Sequence, residues 1–247
     1  FASAYAEGLI ERDPTVALIR PKASKGTGRR ALTPEETQRV LETIRTHPEG
    51  LFLAILYYLG VRRGEALGLK WGDFDFTVDQ VHIQRDIDFT GSTAADGTLK
   101  TEAADRFVPI PADLKVMLLP KRESADAYVF HTPSGAPLPQ ASYKRMWSRL
   151  MLECGCVEWR ELKPGTSRPD DILKQVKPTL TPHYFRHNYV TLLYESGIDP
   201  LVAMKIVGHT DYQTTANIYT HLKEDTLRRA SVNMERVFAK RSEQDAQ

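Results

Sequence analysis

Residues 181–197 read TPHYFRHNYVTLLYESG. This stretch predicts a helix that begins at a Thr-Pro pair and ends at Gly197, because these residues are typical of helix starts and stops. His183 and Arg186 are three residues apart near its first turn, so they share one face. The amino-terminal end of a helix favours anions, and both side chains donate hydrogen bonds. The pattern therefore favours a phosphate ligand at this end of the helix.

The apolar side chains of this helix predict a separate, buried face. It comprises Phe185, Tyr189, Leu192 and Leu193. Taken alone, the polar pair also fits an interior histidine with satisfied hydrogen bonds beside a surface arginine. Other segments of the chain are needed to decide between the two interpretations.

The composition is that of an ordinary soluble globular protein, with 41% hydrophobic and 26% charged residues. A length of 247 residues allows one large domain or two modest ones. No run of eighteen apolar residues occurs, so no membrane-spanning helix is expected. The chain begins with Phe1 and shows no signal-peptide pattern, which indicates a fragment whose natural amino terminus has been removed.

The formal net charge is only +1, so a nucleic-acid surface must come from local charge. Two segments supply it: RPKASKGTGRR at 20–30, typical of a flexible basic linker, and YKRMWSR at 143–149, where bases interleave with Tyr and Trp. A solvated charged face is the alternative interpretation of each. The candidate DNA-binding residues are Arg20, Lys22, Lys25, Arg29, Arg30, Lys144, Arg145 and Arg149.

The only two cysteines, Cys154 and Cys156, exclude a disulfide framework as the organising principle of the fold. They could form half of a metal site, but no matching pair of Cys or His lies near them in the sequence. Two reduced thiols in a cytosolic protein are the simpler interpretation.

Helical patterns dominate the chain. A new domain opens at Thr33, where Pro34 and Glu36 complete a capping-box signature, and its first helix extends to about Thr46. A strongly apolar second helix stops at Gly60. Further helices are predicted at 64–69, 112–119, 140–154, 200–207 and 212–222, and the apolar spacing beyond 223 predicts a tail helix.

Between these helices the hydrophobic period changes to two, which is typical of strands. QVHIQRDI at 80–87 predicts one strand, RFVPI a second with Pro109 at a sheet edge, and AYVF at 127–130 a third. The first two suggest a small antiparallel sheet. Two segments without a clear period predict turns or loops: 89–97 and 155–180.

Three further segments carry candidate reactive side chains. GVRRGEALGL places Arg62 just past a helix end, with Glu65 three residues on, so the carboxylate can hold the local structure. Lys100 lies beside a predicted hairpin turn. VGHTDYQTTANIYTHL places His209 directly after a glycine and Tyr219 ten residues later.

Together these motifs resemble the tyrosine recombinase family of the phage integrase type. The matching motifs are GxRxxE at 60–65, the hairpin lysine, HxxR at 183–186, Gly-His at 208–209 and the tyrosine of IYTH. The resemblance implies an α+β fold, mainly α-helical, with a small antiparallel β-sheet in a catalytic domain at 31–222. Residues 1–30 resemble the end of a core-binding domain with its basic linker, and 223–247 a carboxy-terminal tail helix.

The resemblance also implies a role for the motif residues. Tyr219 is the nucleophile that attacks a DNA phosphorus and leaves a 3′-phosphotyrosine, with His183 as its general base. Arg62 and Arg186 clamp the non-bridging oxygens in place of a metal ion. Lys100 protonates the departing 5′ oxygen.

Two more residues have supporting roles by the same resemblance. His209 hydrogen-bonds the phosphate or the transition state, and Glu65 supports the Arg62 region without reacting. Three neighbours lie beside family positions without matching one: Arg63, His187 and Tyr212.

The resemblance implies no metal and no other cofactor, and the phosphotyrosine keeps the bond energy, so ATP is not required. The implied partners are double-stranded DNA attachment sites, further copies in a tetramer on DNA, and accessory DNA-bending or directionality proteins, with no membrane. In isolation we expect a monomer. The expected role is integration or excision of a mobile element by a cytoplasmic, nucleoid-associated protein of a bacterium or phage.

Two other functions remain open. A type IB topoisomerase uses the same chemistry on one strand, although the motif spacings fit the integrase pattern better. A non-catalytic helix-turn-helix protein would fit the helices at 195–222, although 212–222 contains no Lys or Arg to reach base edges.

Overall fold

The computed structural model describes residues 2–12, 14–15, 30–90, 93–97, 105–160 and 171–208. Several predicted features lie outside these ranges: Lys100, His209, Tyr219, the helix at 212–222, the tail at 223–247 and the linker residues Arg20, Lys22, Lys25 and Arg29. The described helices are α1 (Ala2–Ala6), α2 (Pro34–Thr46), α3 (Gly50–Leu59), α4 (Arg63–Gly68), α5 (Ala112–Leu118), α6 (Gln140–Glu153), α7 (Ile172–Gln175), α8 (Pro182–Glu195) and α9 (Pro200–Val207). The described strands are β1 (Phe74–Asp75), β2 (Gln80–Ile83), β3 (Asp86–Thr90), β4 (Thr93–Gly97), β5 (Arg106–Pro109), β6 (Val157–Trp159) and β7 (Val176–Pro178).

Helix α2 begins with the predicted capping box. The Thr33 hydroxyl accepts a hydrogen bond from the Glu36 amide at 3.2 Å, and the Glu36 carboxylate accepts one from the Thr33 amide at 2.8 Å. Pro34 occupies the first helical position, where a missing N–H costs nothing. The predicted start of this helix is therefore confirmed at the level of individual bonds.

Helix α3 forms the centre of the core, since nine of its ten residues are buried. It contacts α2, α4, α5 and α8. Phe52 of this helix makes edge-on contacts to Phe130, Tyr143 and Trp147, with ring centroids 5.1, 5.9 and 6.3 Å apart. Each such pair adds about 0.5–1.5 kcal/mol to the energy of burial, so these contacts fix α6 against α3. No helix in the described part of the chain has both the length and the apolar character needed to cross a bilayer.

The predicted stop at Gly60 is confirmed. Gly60 has a φ of 59°, the left-handed conformation typical of a helix C-cap. A Cβ at this position would stand 2.2 Å from Cδ1 of the Tyr189 ring. Glycine is therefore required where the chain leaves α3 and turns into α4.

The predicted small antiparallel sheet is confirmed, with β2 between β1 and β5. Val81 pairs with Val108, and both are fully buried beneath the sheet. Pro109 lies on β5, which is an edge strand, as predicted from its missing N–H.

The prediction of one continuous strand over 80–87 is wrong. The segment contains the whole of β2 and the start of β3, and β3 pairs with β4 in a separate two-stranded sheet. Between the two strands, Gln84 and Arg85 donate side-chain hydrogen bonds to Asp73. These long-range contacts turn the chain from one sheet into the other, and the alternating pattern alone could not reveal them.

Three predictions about loops and short strands also require correction. The expected turn segment at 89–97 contains β4, where Thr93 stands opposite Thr90; pairing with β3 orders a sequence of low strand propensity. AYVF is not a strand, because only Tyr128 forms a bridge, to Lys70. The expected loop at 155–180 contains α7 and the paired strands β6 and β7 in its described parts.

Candidate active site

A carboxylate organises the start of helix α4. The Glu65 side chain accepts hydrogen bonds from the Arg62 backbone amide and from the Arg62 guanidinium, each at 2.7 Å. The spacing explains this geometry, because a residue at the third helical position can reach back to the residue before the helix. Glu65 is only 1% exposed, whereas the Arg62 side chain is 37% exposed. Glu65 therefore fixes the position of Arg62, and the Arg62 guanidinium stays accessible to a ligand.

Sequence reasoning missed a second arginine on the same carboxylate. Arg106, at the start of β5, donates to Oε1 and Oε2 of Glu65 at 3.1 and 2.9 Å, and it is buried. A signal was present, because Arg106 alternates with Val108 and Ile110 and so occupies an inward position of RFVPI. A charge at an inward position needs a buried partner, and Glu65 is that partner.

Helix α8 contributes the third arginine, Arg186. The helix has its predicted extent, Pro182–Glu195. The Arg186 guanidinium is buried and donates to the backbone carbonyls of Gly60 at 3.1 Å and Val207 at 2.6 Å. It also lies 3.9 Å from the Glu65 carboxylate. Burial excludes the interpretation of Arg186 as a surface base.

Charge and burial compete within this cluster. Burial raises the pKa of Glu65, but the hydrogen bonds and charge of Arg106, followed by the charge of Arg186, lower it to about 2. Burial and then the charge of Arg62 lower the pKa of Arg186 to about 9, and Glu65 opposes that change. Both groups are therefore ionised at neutral pH. Three guanidinium groups against one carboxylate leave an excess of positive charge, which suits an anionic ligand.

The Glu65 carboxylate makes stability depend on acid pH. Folding lowers its pKa from 4.5 to about 2, so ionised Glu65 contributes about 3 kcal/mol at pH 7. The contribution is complete above a pH of about 5 and is lost as the pH falls towards 2. In urea unfolding, the difference in unfolding free energy between the wild type and Glu65→Gln should shrink by about 2 kcal/mol from pH 7 to pH 3. An unchanged difference would contradict this account of the carboxylate.

Three of the predicted reactive residues line one pocket. Arg62, His183 and Arg186 share a pocket of about 630 Å³. His183 is exposed at the start of α8, near the helix end that favours anions. Arg63, Asp86 and Asp88 also line this pocket. The pocket thus brings three guanidinium groups and one imidazole together with two carboxylates.

Gly208, the last described residue, belongs to the same site. Its carbonyl accepts a hydrogen bond from the Arg62 guanidinium at 3.2 Å. His209 follows it directly in the sequence. Structural roles for Lys100, His209 and Tyr219 remain expectations from the sequence, since these residues lie outside the described ranges.

The predicted DNA-binding residues that the structure describes fall into two groups. Arg30 makes a double contact with Glu36 at 2.6 and 2.7 Å, and Arg149 pairs with Glu49. Intramolecular pairing of this kind reduces the charge that these two arginines offer to DNA. Lys144 and Arg145 are exposed on helix α6, so they match the expectation of a basic surface better.

The cysteines have the character of interior thiols. Both are buried, and the Cys154 thiol donates to the Thr43 hydroxyl at 3.2 Å. Burial raises the pKa of Cys154 to about 11 and also raises that of Cys156, so both stay protonated at neutral pH. Across the described ranges, no group of three His, Cys, Asp or Glu side chains is placed to hold a metal ion.

Comparison with known proteins gives a consistent result. The sequence model of the phage integrase family matches residues 30–226. The chain is 26% identical to a XerC-like tyrosine recombinase of Caldanaerobacter subterraneus and 29% identical to tyrosine recombinase XerD of Halalkalibacterium halodurans, over 90% of this chain in each case. It spans 59% and 67% of the lengths of those two relatives.

Solved structures agree on the fold. The Tn1549 transposon integrase (residues 82–397 of that protein), in complex with circular intermediate DNA, superposes with a TM-score of 0.65 at 21% identity, covering 95% of this chain and 76% of that one. XerA recombinase superposes with a TM-score of 0.55 at 21% identity, covering 87% of this chain and 66% of that one. At these identities the similarity establishes the mainly helical α+β architecture predicted from the sequence.

Proposed function

The chain belongs to the phage integrase family, and from that premise we propose that it is a site-specific DNA recombinase that acts through a covalent 3′-phosphotyrosine. The observation that carries the proposal is the single pocket shared by Arg62, His183 and Arg186. Fixed guanidinium charges beside an imidazole suit a phosphodiester. The relatives named tyrosine recombinases support the same activity. Integration or excision of a mobile element is the role that we propose for it.

In the proposed cleavage step, the Tyr219 oxygen forms a bond to a DNA phosphorus. The bond from phosphorus to the 5′ oxygen breaks, and that oxygen takes the bonding electron pair. His183 accepts the phenolic proton, because a tyrosine with a pKa of about 10 is a weak nucleophile until it loses that proton. Lys100 gives a proton to the departing 5′ oxygen.

Arg62 and Arg186 would stabilise the negative charge that develops on the non-bridging oxygens. Their charge is fixed at neutral pH, and burial of Arg186 and Glu65 reduces screening by water and salt. Arg62 is accessible and can contact the phosphate directly. Arg186 is buried and donates to a backbone carbonyl of the site. In this proposal His209 adds a hydrogen bond to the phosphate.

Rejoining would use the same groups in reverse. The phosphotyrosine stores the energy of the broken phosphodiester, so the 5′-hydroxyl of another strand can attack it without ATP. This feature separates a recombinase from a nuclease, in which water takes that bond.

The proposed organisation follows the family pattern. Residues 1–30 would be the end of a core-binding domain with its basic linker, 31–222 the catalytic domain and 223–247 a tail helix. The proposed partners are double-stranded attachment sites, accessory DNA-bending or directionality proteins, and further copies of the chain in a tetramer. We propose that the protein is a monomer in isolation. We also propose that it is cytoplasmic and associates with the nucleoid.

Deleting the tail, residues 223–247, tests the proposed assembly. The apolar spacing of this segment suits packing on a neighbouring protomer, so the truncated protein should still cleave a single site but assemble paired sites at least about tenfold less well, a loss of roughly 1.4 kcal/mol. Denaturing gels with one site measure cleavage, and native gels with two sites measure pairing. Normal pairing and normal recombination by the truncated protein would rule out this role for the tail.

A recombination assay tests the proposed function. Two linear duplexes of unequal length, each carrying the DNA that flanks the gene, are incubated with the intact protein in EDTA and without ATP. The proposal expects joint products of two new lengths. Relaxation of a supercoiled plasmid without such a site, and no joint products, would assign a topoisomerase instead. Tight binding with neither product would assign a non-catalytic DNA-binding protein.

A further inference from the structure

The carboxy-terminal end of helix α9 is held by three arginines. Arg106 Nε donates to the carbonyl of Ile206 at 2.8 Å, Arg186 to that of Val207 at 2.6 Å and Arg62 to that of Gly208 at 3.2 Å. The last carbonyls of a helix lack partners within the helix and carry partial negative charge. Three successive carbonyls, two at the end of α9 and one on its C-cap, thus each accept a hydrogen bond from an arginine outside the helix.

Arg106 differs from the other two arginines in its position. It is not among the described residues that line the pocket, whereas Arg62 and Arg186 both are. Its guanidinium uses both terminal nitrogens on the Glu65 carboxylate and its Nε on the Ile206 carbonyl. Arg106 therefore connects strand β5, the carboxylate that holds Arg62, and the helix end that precedes His209.

We infer that Arg106 is a positioning residue, which fixes the Arg62–Glu65 pair relative to the end of α9 and thereby sets the spacing of the phosphate-binding groups. The inference rests on the proposed function for its catalytic consequence, although the positioning itself concerns only described contacts. Without Arg106, Glu65 would keep its bonds to Arg62 but lose its attachment to β5. The segment that leads into His209 would lose the Ile206 contact at the same time.

A lysine at position 106 distinguishes the effect of the arginine's geometry from the effect of its charge. Arg106→Lys keeps the positive charge, but an ammonium cannot reproduce the planar fork that meets two carboxylate oxygens and a carbonyl together. Arg85→Lys is the matched control. Arg85 donates through Nε to the carbonyl of Gly68 at 3.1 Å and through a terminal nitrogen to the buried Asp73, and it does not line the pocket.

The first measurement needs no DNA. Amide hydrogen exchange by mass spectrometry on the intact protein should be faster in Arg106→Lys, by about tenfold, in the peptides that cover residues 60–65 and 204–208. The Arg62 amide bonds to Glu65 and the Gly208 amide bonds to Met204, so these peptides report on the positioning directly. In Arg85→Lys the same peptides should exchange as in the wild type. Unchanged exchange in Arg106→Lys would overturn the inference.

The second measurement is the single-turnover rate of covalent adduct formation on a nicked duplex. We expect Arg106→Lys to lower that rate by about 30-fold, with DNA affinity within about threefold of the wild type. Arg85→Lys should lose much less of this rate than Arg106→Lys, even where the two variants lose the same melting temperature. Equal losses in the two variants would reduce Arg106 to a structural residue and overturn the inference. Faster exchange in Arg106→Lys, with no adduct in the wild type, would uphold the positioning and refute the proposed function.

Discussion

Replacing Arg62 by alanine is expected to slow covalent cleavage of DNA by at least about 1,000-fold, because the variant loses a fixed charge at the phosphate. The Arg62 side chain is 37% exposed, and Glu65 keeps its two contacts to Arg106, so the variant should remain folded. Single-turnover cleavage of a nicked duplex gives the rate, and a binding titration gives the affinity. If the variant lost DNA affinity but kept its cleavage rate, Arg62 would contribute to DNA binding and would not act at the reacting phosphate.

Two other arginines provide the comparison. Arg45→Ala removes a guanidinium from an exposed position on helix α2 and should leave the cleavage rate within about threefold of the wild type. Arg63 lies next to Arg62, but its guanidinium stands 5.0 Å from the Phe89 ring and 5.4 Å from the Tyr143 ring. Arg63→Ala should therefore lose far less rate than Arg62→Ala. The reverse order would show that the reactive arginine was assigned one position too early.

Tyr219→Phe is expected to abolish the covalent adduct, with a loss of at least about 10,000-fold in cleavage. The substitution removes one oxygen and no charge at neutral pH, so DNA affinity should stay within about twofold of the wild type. Adduct formation is followed in denaturing gels and affinity in native gels, on the same duplex. A variant that still forms an adduct would exclude Tyr219 as the nucleophile.

Tyr212→Phe is the matched control, because it deletes the same atom from the other tyrosine of the segment. We expect it to cleave within about threefold of the wild type. If Tyr212→Phe lost the adduct and Tyr219→Phe kept it, Tyr212 would be the nucleophile. The motif spacing that assigns this role to Tyr219 would then be wrong.

Local signals in the sequence predicted the helical part of the fold well. The capping box at Thr33 and the glycines that end α3 and α9 are short-range features, since each depends on bonds between residues a few positions apart. The sheets were harder to predict. The break after β2 arises from contacts of Gln84 and Arg85 with Asp73, at least eleven positions away along the chain. Alternation of hydrophobic and polar residues does not encode such a contact.

The candidate site was also predictable from the sequence only in part. Motif spacing pointed to Arg62, His183 and Arg186, and the fold brings these three to one pocket. The burial of Arg186 and the contribution of Arg106 could not be seen from spacing, because both depend on the carbonyls at the end of α9. A charged residue at an inward strand position is the sequence feature that could have identified Arg106.

Covalent catalysis is tested most directly by identifying the residue that becomes bonded to DNA. The intact protein is incubated with a nicked duplex carrying the DNA that flanks its gene, so that the short cleaved piece diffuses away and the covalent intermediate accumulates. The adduct is digested and the modified peptide is mapped by mass spectrometry. We expect a single 3′-phosphotyrosine at Tyr219. An adduct on another residue, or no adduct despite tight binding of the same duplex, would contradict this expectation.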